Sequence, residues 1–258
     1  MQACLNEPKG VTIDGHGNVY VADSENHLIR KLDRATGILS TVAGTFGVEP
    51  MHAAVQRDAP VPLTDEDPLA DDAGERSPAK FTQHADVSGT VRYWTNHTAT
   101  SSKRYGGDGG PAVSAHLNFP TAVVVDREGN LYIADTMNHR VRMVDSETRI
   151  MSTVAGTGQA RFSGDGGPAN QAALNEPAAL AIDDEGRLYI ADQSNHRVRM
   201  VDLKTGVIQT IAGVGIATYD GDGKRAIEMA LAGPSGLALV ADRLYVADTF
   251  NGRVRCIE

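Results

Sequence analysis

A cassette repeated four times constrains the fold of this chain more than any other feature of its sequence. The copies span residues 5–44, 117–156, 174–213 and 231–258. The second, third and fourth copies begin 57 residues apart, whereas the first begins 112 residues before the second. Units of a repeat protein bury their apolar surfaces against neighbouring units. The sequence therefore predicts one domain, residues 1–258, built from similar stacked units.

Each copy contains four short strand-type runs separated by turn residues. In the second copy these runs are Ala122–Val125, Leu131–Asp135, Val141–Asp145 and Met151–Ala155. Short β-branched runs between Asp-, Asn- and Gly-containing turns indicate antiparallel hairpins. Four such strands at a fixed period are typical of a propeller blade, so we predict an all-β chain, a β-propeller of four-stranded antiparallel blades.

The third strand and the link after the fourth strand carry further expectations. Alternating arginines in the third strand, Arg140 with Arg142 and Arg197 with Arg199, predict an exposed strand near the rim of the blade. The links, residues 104–116, 161–173 and 218–230, are rich in glycine, and their Pro-Ala-x-x-Ala ends predict one helical turn.

The repeated cassette resembles the NHL repeat, named for an Asn-His-Leu triplet that is literal here at Asn26, His27 and Leu28. The next two copies have Asn-His-Arg, and the fourth has Asn251-Gly252-Arg253. The resemblance implies a propeller that is usually six-bladed, and families of this kind include binding modules, extracellular sensor domains and a few enzymes. The long period with its Gly-Asp-Gly-Gly links is similar to repeats of bacterial NHL proteins and of the teneurin NHL domain.

This chain has fewer copies than that family usually has, and its fourth copy ends before a fourth strand. Either the ring closes with four or five units, or the copies form an arc cut from a larger ring. An arc would expose apolar blade faces, which predicts self-association through open blade edges.

Residues 48–103 do not match the repeat. Their first half is rich in Pro, Asp, Glu and Ala, and mild strand character surrounds Thr90–Thr98. We interpret this insertion as a loop or a disordered segment; a degenerate blade and a translated non-coding segment are the alternatives.

Polar residues recur where the second strand of each copy ends. We predict that they line the channel mouth and bind a ligand there: Asp23, Asn26, His27, Asp135, Asn138, His139, Asp192, Asn195, His196, Asp248 and Asn251. The competing interpretation is that each Asp accepts hydrogen bonds within its own turn and locks the hairpin. A structural device recurs in every blade, whereas a catalytic site is asymmetric, so the second interpretation is favoured.

Metal and thiol chemistry have weaker support. No cofactor is predicted; the Gly-Asp-Gly-Gly links, with Asp108, Asp165 and Asp222, offer oxygen atoms to calcium but lack the other positions of a calcium loop. Cys4 and Cys256 lie near opposite ends of the chain, where a disulfide is conceivable and two unrelated thiols are the favoured alternative.

Composition limits the partners. The formal charge of −9 argues against wrapping nucleic acid, and no apolar run is long enough to span a membrane. No signal peptide is visible at the N-terminus, which leaves the compartment unknown and an extracytoplasmic place within a larger protein open.

Two functions remain at this point. The favoured one is a non-catalytic binding or scaffold module that presents loops at one end of the propeller to a protein or a small polar ligand, as a fragment of a larger protein or alone. The alternative is a metal-dependent lyase or lactonase-like hydrolase with its site at the central channel.

Overall fold

The computed structural model describes residues 4–45 and 105–257, together with the backbone of two short paired strands, β5 (His84–Ala85) and β6 (Val91–Arg92). Residues 47–100 form a unit of their own by contact clustering, apart from the repeat unit. The prediction of a loop or disordered segment at 48–103, including Thr90–Thr98, therefore falls largely outside the described residues.

The repeat unit consists of four antiparallel sheets in sequential strand order, arranged as the blades of a β-propeller. Blade 1 contains β1 (Pro8–Ile13), β2 (Val19–Asp23), β3 (Leu28–Leu32) and β4 (Leu39–Ala43). Blade 2 contains β7 (Pro120–Val125), β8 (Leu131–Asp135), β9 (Arg140–Val144) and β10 (Met151–Ala155). Blade 3 contains β11 (Pro177–Ile182), β12 (Arg187–Asp192), β13 (Arg197–Asp202) and β14 (Val207–Ala212). Blade 4 has three described strands, β15 (Pro234–Val240), β16 (Arg243–Asp248) and β17 (Arg253–Ile257).

Helical structure in the described residues is limited to single 3₁₀ turns of two kinds. One kind follows the second strand of each blade: Ser24–Asn26, Thr136–Asn138, Gln193–Asn195 and Thr249–Asn251. The other confirms the helical turn predicted in the links: Ala112–Ser114, Ala169–Gln171 and Ala226–Glu228. None of these helices is long and apolar enough to cross a membrane.

Tight turns between strands rest on one recurring aspartate. Asp14 accepts hydrogen bonds from the backbone N–H groups of His16 and Asn18, both at 2.9 Å. Asp126 and Asp183 occupy the same position in blades 2 and 3, where each accepts the corresponding backbone N–H at 2.8 Å. An Asp that accepts from the amides two and four positions on closes the turn without a backbone partner.

The core lies between blades, as predicted for strands that are apolar on both sides. Tyr20 and Ile29 of blade 1 pack with Val123 and Leu131 of blade 2, and similar clusters join blades 2 to 3 and 3 to 4. The inner strands β1, β7, β11 and β15 pack in that order, and no comparable packing joins β15 to β1 within the described residues.

The outward faces of the first and last blades are exposed. Val11 of β1 is 68% exposed, whereas Val123, its counterpart in blade 2, is 3% exposed. Val254 of β17 is 72% exposed, whereas Val198, its counterpart in blade 3, is fully buried. The described blades are therefore four in number, fewer than the six that the resemblance implies, with one apolar face open at each end.

The expected exposure of the third strand was wrong. Arg142 and Arg199 are fully buried, because the link before each blade folds back over the third strand. Arg140 stacks over the ring of Tyr105 at 3.6 Å, and Arg197 stacks over Phe162 at 3.8 Å. The aromatic residue at the start of each link therefore covers the arginines that looked solvent-directed in the sequence.

Candidate binding face

Four turns at one end of the blades share a buried aspartate. Asp23, Asp135, Asp192 and Asp248 end the second strands, and all four are fully buried. Each accepts a 2.7 Å hydrogen bond from the backbone N–H of the residue three or two positions before its own blade's inner strand: Asn6, Asn118, Asn175 and Ala232. Each also accepts the side-chain amide three residues ahead, at 2.8–2.9 Å: Asn26, Asn138, Asn195 and Asn251. The aspartate thus joins the turn to the start of the blade.

A buried arginine completes this network in blades 2 to 4. Arg142 reaches Asp135 at 3.2 Å, Arg199 reaches Asp192 at 3.4 Å, and Arg255 reaches Asp248 at 3.3 Å. Burial raises the pKa of Asp135 to about 6, against the hydrogen bonds from Asn138 and from the Asn118 amide. Burial likewise raises the pKa of Asp192 to about 6. These carboxylates are still mainly ionised at pH 7, paired with their arginines.

The histidine of each turn contacts the next blade. His27, His139 and His196 adopt the left-handed conformation, with φ between 53° and 58°. Their Nδ1 atoms accept hydrogen bonds of 2.9–3.1 Å from backbone N–H groups of the following blade, at Phe119, Glu176 and Gly233. We call this contact the histidine latch. In blade 4, Gly252 takes the same conformation, with φ 63°, and carries no imidazole.

A hydroxyl strengthens the same junction in two blades. Ser24 donates to the carbonyl oxygen of Pro120 at 2.6 Å, and Thr136 donates to that of Pro177 at 2.8 Å. Sequence reasoning missed both residues, although each directly follows the recurrent Asp and is the only short hydroxyl side chain in its turn that could reach the next blade.

The predicted site residues therefore lie at one end of the blades, and the aspartates face inward. They do not form a ring of free carboxylates around an opening, and their oxygens are hydrogen-bonded within the fold. Within residues 4–45 and 105–257, no group of three His, Cys, Asp or Glu side chains is placed to hold a metal ion. Ligand binding by these eleven residues remains a prediction.

The link aspartates, considered above for calcium, bind arginine and threonine in this structure. Asp108 accepts from Nε of Arg142 at 3.0 Å and from the Thr153 hydroxyl at 2.6 Å. Asp165 makes the same contacts with Arg199 and Thr210. Burial acts to raise the pKa of Asp108, but the Thr153 hydrogen bond and the Arg142 charge outweigh it, so this pKa lies below its ordinary value. The calcium hypothesis stays untested.

The surface of this end is formed by pairs of residues that differ from blade to blade. One member precedes the inner strand and has positive φ: Glu7, Phe119, Glu176 and Gly233. The other is the middle residue of the 3₁₀ turn: Glu25, Met137, Ser194 and Phe250. In each blade the backbone N–H of the middle residue donates to the carbonyl oxygen just before the first member, at 2.9–3.2 Å. We call these four pairs the display pairs, and the surface they form the turn face.

The display pairs alternate in chemistry along the blades. Blade 1 presents Glu7 with Glu25, and blade 3 presents Glu176, whose carboxylate accepts a 2.6 Å hydrogen bond from Ser194. Blade 2 presents Phe119 with Met137, and in blade 4 the ring of Phe250 lies against Gly233. Acidic and apolar positions thus follow one another on an identical backbone frame.

The two cysteines are exposed, and no disulfide joins Cys4 to Cys256. The bridge considered from the sequence is therefore not formed.

Comparison with protein families supports the repeat assignment. The model described as "NHL repeat" matches residues 5–32 and 117–142, and the model described as "Teneurin NHL domain" matches residues 158–218. The matched regions lie in blades 1, 2 and 3 and in the link that follows blade 3.

Among curated proteins, the chain is similar to NHL repeat-containing protein 2 of Gallus gallus, with 26% identity over 85% of this chain and 42% of that protein. It is also similar to mouse teneurin-4, with 30% identity over 78% of this chain and 8% of that protein. The chain therefore spans less than half of the length of these relatives.

Among solved structures, a protein of unknown function from Bacteroides thetaiotaomicron superposes with a TM-score of 0.59 at 15% identity. The superposition covers 97% of this chain and 47% of that one. An auxiliary nutrient binding protein from Bacteroides ovatus superposes with a TM-score of 0.51 at 19% identity, over 100% of this chain and 60% of that one. These likenesses support the fold alone.

Proposed function

Because this chain is an NHL-repeat β-propeller, we propose that it is a non-catalytic binding module whose turn face holds a protein or a small polar ligand. The observation that carries this proposal is the contrast between frame and display pairs. The frame residues are buried and repeat almost unchanged, whereas the display pairs sit on top of them and change in every blade. A surface varied on a constant scaffold is suited to recognition.

The chemistry of the display pairs indicates the kind of partner. Glu7 and Glu176 present carboxylates in blades 1 and 3, and Phe119 and Phe250 present aromatic surface in blades 2 and 4. An extended peptide that alternates basic and apolar side chains would meet charge with charge and ring with apolar surface. We therefore favour a protein partner with such a segment over a small polar ligand.

The open blade faces support a second, weaker association. Val11 and Ile13 on blade 1, 68% and 63% exposed, and Val254 on blade 4 are the two halves of a contact that is buried between the inner blades. A second copy of this chain offers the complementary half, so blade 4 of one copy would stack on blade 1 of another. Sedimentation velocity over a concentration series, with Val11→Asp as the disrupting variant, tests this association.

Selection from a displayed peptide library tests binding at the turn face. The bait is the wild-type chain, and the selected peptides are measured by titration against a face variant in which Phe119, Met137 and Glu176 are changed to alanine. We expect enriched peptides with alternating basic and apolar residues, weakened at least tenfold by the face variant.

The matched control changes three exposed residues at the opposite turns, Arg127, Glu147 and Glu185, to alanine. This control should bind the selected peptides as the wild type does. Peptides that lose affinity equally for both variants, or for neither, would contradict the turn face as the binding site.

The metal-dependent lyase or lactonase-like alternative stays a prediction, because no described cluster of side chains favours it.

A further inference from the structure

The outer strands of blades 2 and 3 are held on both edges. One edge of β14 pairs with β13, where Val201 lies opposite Ile208. Along the other edge runs the link that precedes the blade: Gly166 donates to the carbonyl oxygen of Ile208 at 2.8 Å, and Ile208 donates to that of Gly167 at 3.1 Å. Ala169 adds a third bond, to the carbonyl oxygen of Gly206 at 2.8 Å. The link therefore works as one more strand of the blade.

A threonine of the outer strand fixes its register. The hydroxyl of Thr210 donates to Asp165 at 2.7 Å, and in blade 2 Thr153 donates to Asp108 at 2.6 Å. The same aspartates accept from the buried arginine of the neighbouring strand. Threonine at the third position of a five-residue strand thus completes an Arg–Asp–Thr cluster.

An apolar residue of the outer strand fills a socket below this cluster. Met151 is fully buried beside Leu131 and Val144 in blade 2, and Ile208 is fully buried beside Leu188 and Val201 in blade 3. The outer strands share a pattern of an apolar residue, a polar residue, Thr, an apolar residue and Ala: residues 39–43, 151–155 and 208–212.

Blade 4 has both walls of this arrangement and no described strand between them. Its link keeps the cluster, because Tyr219 donates to Asp222 at 3.0 Å and Arg255 lies 3.2 Å from the same carboxylate. The backbone N–H groups of Gly223 and Ala226, equivalent to Gly166 and Ala169, have no hydrogen-bond partner in the described part of the chain. On the other side, β17 is the last strand of its sheet.

A cleft of about 690 Å³ lies at this place. Its walls include Leu244 and Ile257 of blade 4, the counterparts of Leu188 and Val201 that surround Ile208. Ala226 and Ile227 of the link and Ile211 of blade 3 complete the apolar lining. The cleft thus has the position and the lining of the socket that an outer-strand apolar residue fills elsewhere.

We propose that β17 and the link at residues 218–230 form a strand-binding cleft that takes an extended segment of another polypeptide with the pattern apolar–polar–Thr–apolar–Ala. The segment adds a strand to β17, accepts hydrogen bonds from Gly223 and Ala226, donates its threonine hydroxyl to Asp222, and buries its first apolar residue against Ile257. Main-chain pairing gives affinity and the socket gives specificity, as in other cases of strand addition. The cleft is separate from the turn face and does not depend on the function proposed for it.

The probe is a synthetic peptide with the sequence of residues 206–213, GVIQTIAG, labelled at its N-terminus and titrated into the whole chain by fluorescence anisotropy. We expect saturable binding and slower amide exchange at Arg253–Ile257 and at Gly223–Ala226. A peptide with Val in place of the Thr equivalent to Thr210 should bind about tenfold more weakly, since a hydrogen bond to a charged group is lost. A peptide with Asp in place of the Ile equivalent to Ile208 should bind at least tenfold more weakly.

Ile257→Asp places a charge in the socket and should abolish binding of the wild-type peptide. The matched control is Ile13→Asp, the same change at an exposed residue of blade 1, which should leave the dissociation constant within twofold of wild type. Equal folded content of both variants by circular dichroism separates a blocked socket from misfolding. Absence of binding at millimolar peptide, equal binding of a scrambled peptide, or amide protection away from β17 and its link would overturn the proposal.

Discussion

The imidazole Nδ1 of His27 accepts a 2.9 Å hydrogen bond from the backbone N–H of Phe119, 92 positions further along the chain. The bond joins the turn of one blade to the first strand of the next, and both residues have positive φ. His139 with Glu176 and His196 with Gly233 repeat it. The recurrent histidine is therefore a joint between blades.

Removing one latch should weaken the junction between blades 2 and 3. His139→Gly keeps the left-handed backbone, as Gly252 does in blade 4, and removes only the imidazole. We expect the free energy of unfolding to fall by about 1 kcal/mol, the typical contribution of one hydrogen bond to a half-buried partner. Urea denaturation measures this change. An unchanged midpoint would show that the latch contributes nothing to stability.

The latch should also weaken in acid. Burial lowers the pKa of His139 and of His196 below the ordinary value of 6.5, so the folded state prefers the neutral imidazole whose Nδ1 can accept. Because the unfolded chain binds protons first as the pH falls, the latch contribution is complete above pH 6.5 and is lost as the pH drops through the folded pKa.

The difference in unfolding free energy between wild type and His139→Gly isolates this effect from the titration of Asp135 and Asp192. That difference should be largest at pH 7.5 and should shrink steadily towards pH 5. A difference that stays constant over this range would contradict a neutral imidazole acceptor.

The link aspartates should contribute unequally to stability. Asp108→Ala removes one carboxylate from Arg142, whose side chain is fully buried, and leaves it Asp135 alone. We expect a loss of about 3 kcal/mol, the usual cost of breaking a buried ion pair. Asp222→Ala removes the equivalent carboxylate, which is 71% exposed, and should cost less than about 1 kcal/mol. Thermal unfolding of the two variants compares them, and equal losses would contradict this assignment.

Blades 1 and 2 approach each other most closely at Gly10. A methyl group there would lie 2.6 Å from the carbonyl oxygen of Thr121 and 2.9 Å from Cα of Ala122, both backbone atoms. Gly10→Ala should therefore destabilise the chain by about 1 to 3 kcal/mol through overpacking.

Gly236 is the matched control, since it has the same place in blade 4. A methyl group there meets only the side chain of Ala247, at 3.2 Å. Gly236→Ala should change the unfolding free energy by less than about 1 kcal/mol. If both variants unfold alike in differential scanning calorimetry, the close approach at Gly10 is not a constraint.

The strands could be read from the sequence because each copy repeats the same signals four times. Leu131–Asp135 and Met151–Ala155 were predicted with the bounds that the structure has, and β9 begins one residue before its predicted start. Local alternation and turn residues determine these elements, so no knowledge of distant contacts was needed.

Burial of the third strand could not be read in the same way. Whether Arg142 is exposed depends on Tyr105 and Asp108, which lie more than 30 positions earlier, and on a link that folds back. The display pairs escaped notice for a related reason. Phe119 and Met137 come together through backbone bonds at Asn118, and residues that vary between copies leave no trace in a comparison of repeats.

The display pairs are attached to the fold mainly through their backbone atoms. The N–H of Met137 holds the turn whatever its side chain is, and the latch takes the N–H of Phe119, not its ring. Exchanging these side chains therefore costs the fold little, and new binding preferences can arise one blade at a time by single substitutions. In this respect the chain offers protein engineers four addressable positions on a prebuilt support.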